Sequence, residues 1–117
     1  NRDAKAPRTR GRHMAINLSS ANQLFDTHLA AAARGSADAY FELGMAYSTG
    51  TDGVDIDMIE AHKWFNLAAL AGVREGSVLR AEIASEMDRE EIAEAQRQAR
   101  AWIASLSTAP TAGRHAA

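Results

Sequence analysis

Several acidic side chains crowd one short segment, and clustered carboxylates are the ligands that calcium prefers. They are Asp52, Asp55, Asp57 and Glu60. The spacing does not fit the twelve-residue calcium loop, because Gly53 directly follows Asp52 and Lys63 stands at the twelfth position. Asp57 and Glu60 also have the spacing of a helix capping box. We therefore expect no metal here, and the sequence indicates no cofactor.

Histidines and nucleophiles show no pattern that predicts catalysis. The histidines are His13, His28, His62 and His115; no two have the i, i+4 spacing of a helical zinc site. We expect His28 to face the core and His62 to be solvated. The chain has no cysteine, no Gly-x-Ser-x-Gly elbow, no Walker loop and no Ser-x-x-Lys pair. We therefore predict no catalytic residue and a protein that is not an enzyme.

The composition is that of one small globular domain. The chain has 117 residues, of which 46% are hydrophobic and 24% are charged. No apolar run approaches the roughly 20 residues of a membrane span, and no segment resembles a signal peptide. We expect a cytoplasmic protein, or a periplasmic one if an export signal has been removed. The net charge of -2 predicts neither a nucleic-acid nor a membrane partner.

The N-terminal segment of the chain is a leader rich in positive charge. Residues 1–13 hold five Arg or Lys side chains against Asp3, without apolar periodicity, so we predict that residues 1–17 are disordered. The His13-Met14 step resembles a cloning junction, which would make the leader vector-derived; a natural basic arm is the alternative. Nucleic-acid binding requires a native leader, and the acidic remainder of the chain would repel phosphates.

Residues 18–106 have apolar side chains at three- and four-residue spacing, which is typical of helices. Start signals are Ser36 and the capping-box pairs Ser20–Gln23, Asp57–Glu60 and Asp88–Glu91. Stop signals are Gly35, Gly50, Gly53 and Gly72. A fourth helix is predicted from about Glu75 to Glu86, and residues 107–117 have the composition of a flexible tail. No segment alternates with period two, so we expect no sheet.

Two helices repeat at a fixed offset. Residues 28–35 align with residues 65–72, which is a shift of 37 positions. A period of this size, built from helix pairs, predicts an α-solenoid. The predicted fold is therefore all-α, with about five antiparallel helices in a tetratricopeptide-like arrangement.

One helix pair also resembles a known family. The matching positions are Leu43, Gly44, Tyr47, Gly50, Gly53, Val54, Asp57, Ala61, Trp64, Phe65, Ala68, Ala69 and Gly72. Residues 39–72 resemble the Sel-one-like repeat, a relative of the tetratricopeptide repeat; residues 18–35 are similar to the second helix of a preceding unit, and residues 75–106 to the terminal helix pair of many bacterial members. The resemblance implies an adaptor or regulatory scaffold that binds other proteins.

In tetratricopeptide-like units the first helix of each pair lines the concave face. That arrangement would place a set of partner-binding residues there: Asp38, Phe41, Met45, Ser48 and Thr49. Phe41 and Met45 are one turn apart and would form an apolar spot for a partner helix or extended peptide. Coverage of both by a neighbouring helix, as ordinary core, is the alternative.

Trp102 lies on the last predicted helix, where no later helix can cover it. It would either dock on a preceding helix or form an exposed patch for a partner or a second copy. A self-associating subunit, dimerising through the C-terminal helix pair, is therefore the alternative to an adaptor.

Overall fold

The computed structural model describes residues 20–116, with side chains described as far as residue 107. It contains five helices over this range: α1 (residues 20–33), α2 (Ala37–Thr49), α3 (Met58–Leu70), α4 (Arg74–Ala84) and α5 (Arg89–Ala116). No strand occurs in the described part of the chain. The all-α, tetratricopeptide-like prediction is confirmed, whereas the leader predicted over residues 1–17 lies outside the described residues.

Local capping explains why two of these helices begin where they do. The Ser36 hydroxyl accepts a hydrogen bond from the Ala39 N–H at 3.2 Å, which makes Ser36 the N-cap of α2. Asp88 and Glu91 form a complete capping box before α5. The Asp88 carboxylate accepts from the Glu91 N–H at 2.8 Å, and the Glu91 carboxylate accepts from the Asp88 N–H at 2.9 Å. Both start signals were predicted correctly.

The capping box predicted at Asp57 forms only in part. Asp57 caps α3 by accepting from the Glu60 N–H at 3.1 Å. The Glu60 carboxylate does not return the bond; it accepts from the indole N–H of Trp64 at 3.0 Å. The Asp57 N–H donates instead to the Tyr47 carbonyl at 2.9 Å, so this donor is satisfied by α2.

The repeat seen in the sequence has a structural counterpart in two glycines. Gly35 follows α1 with φ +84°, and Gly72 follows α3 with φ +103°. Both values lie in the left-handed region, where glycine has no Cβ to clash. The two helices aligned by the 37-residue offset therefore end in the same way.

Helix α3 lies at the centre of the domain and packs against α2, α4 and α5. Its Phe65 is fully buried, and glycines allow the neighbouring helices to approach closely. A Cβ at Gly44 of α2 would lie 2.6 Å from the Phe65 ring, and one at Gly76 of α4 would lie 2.9 Å from the Phe65 carbonyl oxygen. Because three helices pack on α3, most of its circumference is buried.

Helix α1 packs on the same core. Ala32 has no exposed surface and belongs to the buried cluster that contains Leu43, Trp64 and Ala99. The ring of Phe25 meets the ring of Tyr47 edge-on, with centroids 5.9 Å apart. Side chains of α1, α2, α3 and α5 thus contribute to a single core.

Helices α4 and α5 differ from the sequence-based prediction at their ends. Helix α4 begins at Arg74 and ends at Ala84, and its N-cap residue Val73 provides no side-chain hydrogen bond. Helix α5 continues past Leu106 to Ala116, where a loop was predicted.

Candidate partner-binding surface

The predicted contact residues lie along one side of α2, which we call the α2 surface: Asp38, Phe41, Met45, Ser48 and Thr49. Asp38 and Thr49 are exposed, whereas the other three are half-buried. The opposite side of α2 is the core side, and its buried residues include Tyr40 and Leu43. Leu43 and Gly44, which the sequence places on the core side, are buried, whereas Tyr47, which it places there too, is half-buried.

The apolar part of the α2 surface is backed by the core. The Phe41 ring packs on the buried Phe65 ring, with centroids 5.6 Å apart and planes inclined by 57°. The contact with Phe65 holds the Phe41 ring in place, while part of Phe41 remains exposed. Met45 follows one turn later and is also half-buried. The sequence left open whether these residues form a partner-binding spot or ordinary core. Phe41 has features of both, because it contacts the core and is also partly exposed.

The polar end of the α2 surface is held by hydrogen bonds within the helix. The Ser48 and Thr49 hydroxyls both donate to the Met45 carbonyl, at 3.1 Å and 2.8 Å. The Thr49 hydroxyl also lies 3.1 Å from that of Thr51. Because the hydroxyl protons of Ser48 and Thr49 are used locally, these side chains offer a partner mainly acceptor lone pairs.

Trp102 lies elsewhere, on the core side of α2. Its ring meets the Trp64 ring edge-on at 4.8 Å and the Tyr40 ring at 6.5 Å. Its indole N–H donates to the Tyr40 hydroxyl at 3.2 Å, and the side chain is half-buried. Trp102 therefore docks α5 on α2 and α3, and the structure does not bring it together with the α2 surface.

Glu42 was missed by the sequence analysis. It is exposed and lies one turn after Asp38 and three residues before Met45, on the same side of α2. The i, i+4 spacing from Asp38 was the signal that would have found it. Neither carboxylate forms an ion pair with a Lys or Arg among the described residues.

The acidic loop between α2 and α3 (residues 50–57) and the two histidines whose side chains are described, His28 and His62, are not arranged as a metal centre. Within the described residues, no three His, Asp or Glu side chains are grouped so that they could hold a metal ion. Asp57 is the N-cap of α3, and Glu60 binds Lys63 at 3.1 Å in addition to Trp64. These roles are local and structural.

The prediction that His62 is solvated was wrong. Only 3% of its surface is exposed, because α3 is packed on by three helices. Burial lowers the pKa of His62, and the nearby Arg80 charge lowers it further. Its Nδ1 atom has no hydrogen-bond partner, and Arg80 donates to Asn66, one turn further along α3.

Comparisons with known proteins agree with the geometry of the central helix pair. Residues 37–73, which comprise α2, the acidic loop and α3, match the family model of the Sel1 repeat. No curated protein and no solved structure matches the chain. None of the described helices is long and apolar enough to cross a membrane.

Proposed function

We propose that the chain, whose residues 37–73 match the family model of the Sel1 repeat, is a non-enzymatic adaptor that binds a partner protein through the α2 surface. Sel1 repeats generally mediate protein–protein interactions. The observation that supports this surface is the half-buried pair Phe41 and Met45, of which Phe41 packs on the buried Phe65 ring. The fixed aromatic ring provides contact area without a large loss of side-chain entropy, and the flexible Met side chain can adapt to the shape of a partner.

A substitution at Met45 tests this proposal. Wild-type protein and a Met45→Asn variant would be used to capture partners from source-cell lysate, with captured proteins quantified by mass spectrometry. The matched control is Val78→Asn on α4, because Val78 is an apolar side chain with 53% exposure outside the α2 surface. Circular dichroism establishes that both variants are folded.

The adaptor proposal predicts a protein that is retained by the wild type and by Val78→Asn but lost with Met45→Asn. Equal capture by all three baits would contradict the α2 surface as the binding site. The captured protein would then be tested as a purified component, so that direct binding is separated from indirect retention.

Self-association through the C-terminal helices is the second candidate function. It is favoured by exposed apolar residues on these helices, Val78 on α4 and Ile103 on α5, with 53% and 41% exposure. Sedimentation velocity would show a concentration-dependent dimer that is lost with Ile103→Asp, whereas a monomer at all concentrations would rule out this function.

A further inference from the structure

The Sel1 repeat, which contains the α2 surface, is the acidic part of the described helical domain. Between Arg34 and Lys63 the chain has no Lys or Arg, but it has Asp38, Glu42, Asp52, Asp55, Asp57 and Glu60. Beyond residue 62, by contrast, α4 and α5 contain both acidic and basic residues. The Sel1 repeat thus presents a negative surface that the rest of the helical domain does not share.

Two of these carboxylates flank the apolar pair on α2. Asp38 is three residues before Phe41, and Glu42 is three residues before Met45, so each acid lies beside an apolar residue on the helix surface. Asp38 and Glu42 are both exposed. The nearest base in sequence after α2 is Lys63, which binds Glu60 and lies 4.6 Å from the Trp64 ring centroid. It is therefore already engaged on α3.

The end of α2 adds to the negative potential. Its last turn contains no basic residue, so the negative end of the helix dipole is not neutralised. The Glu60 and Asp57 carboxylates lie close enough to act on Tyr47 in that turn: burial raises the pKa of its hydroxyl, and these two charges raise it further. The α2 surface therefore combines apolar contact area with two exposed carboxylates, Asp38 and Glu42, and with the negative end of the helix dipole.

We infer that the α2 surface binds a basic amphipathic segment of a partner protein, with apolar side chains on Phe41 and Met45 and Lys or Arg side chains beside Asp38 and Glu42. This inference rests on the proposed function and specifies the chemistry of the partner. Charge complementarity steers the encounter and selects against acidic segments, and the apolar contacts supply most of the affinity.

The chain's own basic leader has a different pattern from the expected ligand. Its five Lys and Arg side chains lie in residues 1–13, which include no Leu, Ile, Val, Met, Phe, Tyr or Trp, and its larger apolar residues Met14 and Ile16 follow them. The basic and apolar side chains of the leader therefore lie in separate segments rather than interleaved at helical spacing. A nucleic acid would be repelled by the same carboxylates.

Peptide binding to the full chain tests the inference directly. The probe is a fluorescein-labelled synthetic peptide of Leu and Lys, with Leu at helical i, i+3, i+4 spacing; the reference peptide has Glu at every Lys position. Binding is measured by fluorescence anisotropy. We expect the Lys peptide to bind with an affinity that decreases as salt is added, and we expect the Glu peptide to show no binding.

Charge-removing variants locate the binding site. The double variant Asp38→Asn, Glu42→Gln should raise the Kd of the Lys peptide about 2- to 30-fold, the range expected for two exposed ion pairs. The matched control Glu82→Gln, Glu86→Gln removes two exposed carboxylates from outside the Sel1 repeat and should leave the Kd unchanged. An equal effect of both double variants would mean non-specific attraction and would overturn the inference.

The variants also separate the inference from the proposed function. If Met45→Asn abolishes binding of the identified partner while the Asp38/Glu42 variant binds it as the wild type does, the surface stands and the basic-partner inference fails. If neither Met45→Asn nor the Asp38/Glu42 double variant changes partner binding, both the proposed function and the basic-partner inference fail. Deletion of residues 1–13 should not change the Kd of the Lys peptide; tighter binding after deletion would make the leader the occupant and would also overturn the inference.

Discussion

Gly44 of α2 lies against the ring of Phe65 in α3, and no larger residue fits between them. A Cβ at position 44 would lie 2.6 Å from both Cδ1 and Cε1 of that ring. Phe65 is fully buried, so its ring has little space into which it can move. We predict that Gly44→Ala lowers the free energy of unfolding by about 1–3 kcal/mol, the usual cost of overpacking, although alanine favours the helix.

Urea denaturation followed by circular dichroism measures this effect. The control is Glu42→Ala in the same helix, where the side chain is exposed and the expected change is within about 0.5 kcal/mol. Because the Phe65 ring also supports Phe41, Gly44→Ala should weaken partner binding through the shifted ring. A Gly44→Ala protein as stable as the wild type would contradict the close packing of α2 on α3.

The hydrogen bond between Trp102 and Tyr40 fixes α5 to the rest of the domain. Tyr40→Phe removes the acceptor and keeps the ring that stacks on Trp64 with centroids 5.9 Å apart. We expect a loss of about 0.5–1.5 kcal/mol, typical of one hydrogen bond. Trp102→Phe should cost at least as much, because it also removes part of the indole ring.

A double-mutant cycle distinguishes the hydrogen bond from simple loss of packing. If the two substitutions act on one bond, the double variant is more stable than the sum of the single losses predicts. The control is Ile103→Ala, the next residue on α5, which is 41% exposed. Strictly additive losses for Tyr40→Phe and Trp102→Phe would show that the bond contributes nothing to stability.

The cap at the start of α3 gives a third prediction. Asp57→Ala removes the acceptor for the Glu60 N–H and should cost about 0.5–2 kcal/mol. Asp55→Ala, two residues earlier in the same loop, is the control because Asp55 is exposed and caps no helix. Thermal unfolding of the two variants measures the difference, and equal melting temperatures would argue against a stabilising cap.

Local features were predictable from the sequence, whereas contacts between distant segments were not. Ser36, Asp88 and Gly72 act on backbone groups within a few residues, so residue type and spacing predict their roles. The partners of Trp102 depend on how α5 crosses α2, and nothing in the local sequence specifies that crossing. Glu60 shows the limit of local motifs, since its carboxylate binds Trp64 rather than completing the capping box.

The position of His62 could not be predicted for the same reason. Its neighbours in sequence, Ala61 and Lys63, do not indicate that the position between them is covered by another helix. Burial follows from the packing of α4 as well as α2 and α5 on α3. Burial of Leu43 and Gly44 in α2 was predictable because both lie on a single apolar stripe, whereas the buried stripe of α3 is widened by its three neighbours.

His62 makes the stability of the domain depend on pH. Its pKa is lowered in the folded state, by burial first and by the Arg80 charge second, from an ordinary value of 6.5. The unfolded chain therefore binds a proton at His62 more readily than the folded one, so this contribution to stability is complete above pH 6.5. It decreases as the pH falls below the unfolded pKa towards the folded pKa.

We therefore expect the free energy of unfolding to decrease from pH 7 to pH 5, as measured by urea denaturation at each pH. His62→Gln removes the titrating group and should flatten that part of the profile, even if it lowers stability at pH 7. The control is His28→Gln, which removes a half-buried histidine from α1 and should leave the decrease in place. A His62→Gln profile as steep as that of the wild type would assign the pH dependence to other groups. A flattened profile would assign the decrease in stability to protonation of the buried His62, which lies near the Arg80 charge.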